Sequence, residues 1–154
     1  MRQKHEQIRN GVFFVLVGIF VVVSVWIVGV GGFGRGVRRL FPVIAALAIV
    51  FGLLGLVQVI LTAGIREGRA RKVFFLLTGA SAAGIPICAI LHNLLYGLFI
   101  IWFGEGFWGK PGMSDEPVFF ILGILVCPAL FVIGSVGSVV VLIKARITGR
   151  ANVP

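Results

Sequence analysis

Charged residues divide the chain into four apolar runs, residues 11–34, 40–65, 73–104 and 117–143, none of which contains Asp, Glu, Lys or Arg. Their lengths of 24, 26, 32 and 27 residues each exceed the roughly 20 that a helix needs to cross a bilayer. The apolar positions are continuous and do not alternate, so they do not suit the strands of a membrane β-barrel. The pattern predicts an all-α fold, a polytopic membrane protein in which residues 1–154 form one four-transmembrane-helix antiparallel bundle. Helices are expected over about 11–33, 41–65, 73–103 and 116–144.

Polar and small residues inside the runs give three of these helices an inner face. At about 100° per residue, Thr78, Ser81, Cys88, His92 and Tyr96 fall in one sector of the third helix, opposite Leu76, Ile87, Ile90, Leu94 and Ile101. Ala48, Gly55, Gln58 and Thr62 share a sector of the second, and Gly123, Cys127, Gly134 and Ser138 share one of the fourth. The GASAAG segment at residues 79–84 has the small-residue spacing that lets helices approach closely. Pro86 and Pro128 predict kinks in the third and fourth helices, because proline removes a backbone donor and crowds the carbonyl four residues back. Pro42 is expected in the first turn of the second helix, where the missing donor costs nothing.

The first run has few polar groups beyond Ser24 and no strong small-residue face, so its helix is expected to be the most lipid-exposed. It is too long for a secretory signal and reads as an uncleaved first span. The Gly-rich stretch GVGGFGRGVRR that follows reads as a flexible turn. The third run exceeds the hydrocarbon thickness, so its outer end must tilt, protrude or turn along the surface, where Phe99, Trp102, Phe103, Phe107 and Trp108 suit the headgroup region.

Composition agrees with this class: 59% hydrophobic, 12% charged and a mean hydropathy of +1.13. The net charge of +9 is gathered at the ends of the runs, which points to anionic lipid headgroups and away from nucleic acid. The N-terminal tail, second connection and C-terminal tail hold ten of the 14 Lys and Arg residues, and the first and third connections hold four. The positive-inside rule then puts both termini in the cytoplasm of a plasma or inner membrane, with Arg35, Arg38 and Arg39 dissenting.

Candidate chemistry is sparse. The binding candidates are the polar residues Gln58, Ser81, His92, Asn93 and Tyr96, read first as structural hydrogen-bonding groups: Gln58 between helices, and His92 with Asn93 as a hydrogen-bonded pair at the outer rim. Cys88 and Cys127 fall at similar depths and are expected to meet, as two buried thiols or as a redox pair. Ser114, Asp115 and Glu116, just before Pro117, read as helix-capping and dipole residues, and Glu105 as a candidate for outer-face contacts. No metal or cofactor site is expected, since the two histidines lie at opposite ends of the span and no Cys-x-x-Cys occurs. No catalytic triad can be assembled and no acid lies within a run to carry protons. The leading expectation is a non-catalytic accessory or structural subunit that associates with other membrane subunits, or with itself, through small-residue faces. The alternatives are a small transporter or channel with a polar path along the third helix, and a membrane thiol–quinone redox protein.

Overall fold

A computed structural model describes residues 2–29, 35–65, 67–109 and 116–151. They form α1 (Arg2–Gly29), α2 (Arg35–Ala63), α3 (Arg69–Phe103), α4 (Pro117–Ile121), a π-helical turn (Leu122–Val126) and α5 (Cys127–Ala151), with no strand among them. The last three segments follow one another without a break and make the fourth rod. Four stretches, Gln3–Ile27, Pro42–Ala63, Arg69–Phe103 and Pro117–Ile147, are long and apolar enough to cross a membrane. Helix is the expected state of such segments, since in hydrocarbon a backbone must satisfy its own donors and acceptors.

Element boundaries depart from expectation where polar residues extend a helix. α1 begins at Arg2, so the polar N-terminal segment is its first turns. α2 begins at Arg35, so residues 35–39 are helical where a flexible turn is expected, and Pro42 lies inside the helix. α3 starts at Arg69 and the fourth rod runs on past the expected end at Lys144 to Ala151. In each case long basic side chains, good helix formers, carry the hydrogen-bonding pattern beyond the apolar run. Residues 30–34, Arg66, Lys110, Ser114 and Asp115 lie outside the described residues.

α3 is the central rod. In its most apolar window 39% of residues are buried, against 11% in α1, and its main packing is against α2 and α5. Both contacts depend on missing side chains. A Cβ built on Gly55 would lie 2.7 Å from the Gly79 carbonyl oxygen and 2.7 Å from the Ala83 nitrogen. One on Gly134 would lie 2.8 Å from the Thr78 nitrogen. The core between the rods is Leu16, Phe51, Ala82 and Phe131, one from each. Phe20 and Phe51 both reach Phe131, with ring centroids at 4.6 and 5.3 Å.

α3 continues as α-helix through Pro86, whose ring faces Gly52 of α2. Before Pro128 the backbone instead widens into the π turn, and the Cys127 N–H donates to the Leu122 carbonyl, five residues back. A π turn of this kind gives the ring room against the preceding carbonyls. At about 52 Å for 35 residues, α3 is far longer than the hydrocarbon is thick. Beyond its end the chain folds back on it. Gly104, with φ at 87°, makes the turn that a side chain would strain. Trp108 then stacks on Tyr96 at 5.5 Å and donates its indole N–H to the Tyr96 carbonyl at 3.1 Å.

Gly55→Ala is expected to destabilise the chain by about 1–3 kcal/mol, because the new methyl meets backbone atoms that cannot move aside. Thermal unfolding in detergent measures this, and Gly11→Ala, at a position with nothing within 4 Å, should leave the transition unchanged.

Candidate functional site

The polar stripe does not converge on one point. Thr78, Ser81 and Cys88 are buried, whereas Ile87, Ile90, Leu94 and Ile101 of the opposite face are exposed. Gln58 sits against Gly79, and His92 follows Gly79 by 13 residues, about 20 Å along the helix. Asn93 is exposed and donates to the Ala89 carbonyl of its own helix at 2.8 Å. Tyr96 belongs to the aromatic end of α3, stacked on Trp108.

His92 and Asn93 do not pair with each other. The His92 Nδ1 lies 3.0 Å from the Glu116 carbonyl oxygen and 3.4 Å from its carboxylate Oε2, and its ring faces Phe120 at 5.6 Å. Glu116 meanwhile accepts from the Val118 and Phe119 N–H groups at 2.9 and 3.0 Å. Its carboxylate is the N-cap of α4, so one acid starts the fourth rod and fastens it to α3. Glu105 is exposed.

Gln58 differs from its expected role. It is fully buried, yet neither its amide nitrogen nor its amide oxygen has a hydrogen-bond partner among the described residues. Its Cβ lies where α3 comes close at Gly79. Thr62 and Thr78 donate back to the carbonyls of Gln58 and Phe74, at 2.7 and 2.9 Å, and so satisfy themselves within their own helices.

The two thiols do come together. Both are unbonded, and they are close enough to influence each other electrostatically. Small residues make the space: a Cβ on Gly84 would sit 2.8 Å from Cys127 Sγ, and one on Gly123 would sit 3.1 Å from Cys88 Cβ.

The most strongly coupled polar group was not visible in the sequence. Arg9 of α1 is fully buried, forms an ion pair with Glu67, and lies over the Phe75 ring at 4.1 Å. Its Nε and Nη2 also donate to Asn10 Oδ1, at 3.3 and 3.1 Å. Arg71 Nε approaches the other Glu67 oxygen to 3.1 Å, close enough to pair though not aligned as a hydrogen bond. One carboxylate therefore holds two guanidiniums and joins α1 to α3 through the connection. The sequence signal, in retrospect, is a lone acid in the basic segment IREGRARK.

Glu67→Gln is expected to cost more stability than Arg9→Met, since the first leaves a buried guanidinium without its counter-charge and the second leaves Glu67 with Arg71. About 3–5 kcal/mol and about 2–3 kcal/mol are the respective magnitudes. A double-mutant cycle read by thermal unfolding should give a coupling above about 1 kcal/mol. Among family models, curated proteins and solved structures, none matches this chain, so its function has to be argued from the residues themselves.

Proposed function

We propose that the chain is a small integral membrane protein that serves as a non-catalytic accessory or structural subunit. Its four rods form an antiparallel bundle in a plasma or inner membrane, with both termini cytoplasmic. The antiparallel order is supported by contacts in which residue numbers rise along one helix as they fall along the other: Gly52 meets Pro86, Gly55 meets Ala82, and Gly79 meets Val59. One observation carries the accessory role: polar side chains of the rods are used up within the chain, His92–Glu116 and Arg9–Glu67 as fasteners between segments and Thr62 and Thr78 by bonds to their own helices.

The small-residue faces of α2, α3 and α5 are covered by one another, so a partner needs a different surface. Gly11, Val15, Gly18 and Val22 form an outward stripe on α1, the least buried span. Nothing lies within 4 Å of a Cβ on Gly11 or Gly18, and Val15 and Val22 are exposed. Glycines between valines present hollows for another helix's side chains.

A second reading, a membrane thiol–quinone redox protein, is favoured by the contact of Cys88 with Cys127. In it the two thiols form a disulfide and pass two electrons and two protons to a quinone. The remaining alternative, a transporter or channel path along α3, has the unpartnered Gln58 amide in its favour.

In mild detergent the protein is expected to migrate as an assembly larger than one chain, and Gly18→Leu should dissociate it while leaving unfolding within about 0.5 kcal/mol. A lone, stable monomer with turnover or flux would overturn the accessory reading. For the redox reading, Cys88→Ser and Cys127→Ser should each abolish quinone reduction; activity retained in both would dismiss it.

A further inference from the structure

At the end of the bundle that carries the connection between α2 and α3, an open groove of about 370 Å³ lies between α1, α3 and α5. Asn10, Arg71 and Arg146 give its polar rim, and Phe14, Val139, Leu142 and Ile143 are among its apolar walls. On α5 the residues Val139, Leu142, Ile143 and Arg146 follow helical spacing on one face. The apolar wall therefore extends about 10 Å below the guanidinium. No acid lines the groove among the described residues.

We propose that this groove binds an anionic glycerophospholipid, with the phosphate at Arg71 and Arg146 and the upper part of one acyl chain against Phe14, Val139 and Ile143. Charge complementarity selects the head: two cations from different helices converge there, and a phosphate oxygen accepts charge-assisted hydrogen bonds from guanidinium groups. The apolar wall selects the tail, which a free anion lacks. Arg71 is held in place before any ligand arrives, since Glu67 pairs with its Nε and the Phe75 ring lies 6.0 Å from its guanidinium carbon. Its position is fixed in turn by the Arg9–Glu67 contact, so the buried ion pair acts as a support for the rim. The proposal rests on the membrane-spanning reading but not on the accessory role.

The test uses the full chain in mild detergent and dioctanoyl phosphatidylglycerol, with binding followed by native mass spectrometry. Phosphatidylglycerol should bind at least fivefold more tightly than dioctanoyl phosphatidylcholine, and Arg146→Gln should remove about fivefold of that affinity. Ile143→Ser, a change at a half-exposed wall position, should also weaken binding. Lys4→Gln removes the same charge away from the groove and should change nothing. Equal binding of the two lipids, an equal loss in Lys4→Gln, or displacement by millimolar inorganic phosphate would each overturn the proposal. Recovery of the chain in the soluble fraction without detergent would instead overturn the membrane reading beneath it.

Discussion

The bundle depends on how near the backbone of α3 comes to the helices on either side of it. Between apolar helices in lipid there is little hydrophobic force to hold rods together, because acyl chains are as apolar as the side chains they replace. Dispersion contacts and a few polar fasteners must suffice, and both grow as backbones approach. Gly55 and Gly79 bring α2 to α3, and Gly134 brings α5 to the opposite side. The aromatic cluster of Phe20, Phe51 and Phe131 then fills the wider space that α1 leaves.

α1 is held by a different force. It shares little packing with its neighbours, and its firmest tie is Arg9 to Glu67, supported by the Phe75 ring. Such a tie is directional where packing is not: it fixes the rotation of α1 about its axis and its height beside α3. The outward stripe of Gly11 and Gly18 and the groove beside Asn10 and Phe14 both inherit their placement from that single carboxylate. A change at Glu67 thus reaches two surfaces that it does not touch.

The number, type and approximate placement of the helices were legible in the sequence because hydrophobic run length alone determines them. The inner faces were legible too, as the burial of Thr78, Ser81 and Cys88 beside exposed Ile87, Ile90 and Leu94 illustrates, since helical periodicity needs no partner to be read. The Cys88–Cys127 meeting followed from equal distances to the flanking lysines. Pairings between distant segments were not legible. Nothing in one helix says that Arg9 will reach Glu67, or that His92 will find Glu116 in place of Asn93. Helix ends were also misplaced wherever basic residues prolonged a span, because apolarity marks where lipid ends and not where hydrogen bonding stops.

Gln58 shows how the packing constraint bears on function. Gln58 is buried where α3 comes close at Gly79, and its amide has no partner among the described residues, so a region that stabilises the bundle also holds an unsatisfied group. An unmet buried amide costs about 1–3 kcal/mol, and a leucine of similar size would fill the same space without that penalty. Thr62, Thr78, His92 and Asn93 each have a structural reason to be polar, visible in their hydrogen bonds. Gln58 has none among the described residues. Where a residue opposes the fold that surrounds it, stability does not account for its presence. Of the buried polar side chains in the rods without a partner among the described residues, which include Ser135 and Ser138, Gln58 is the largest, and its amide is the group most available to something other than folding.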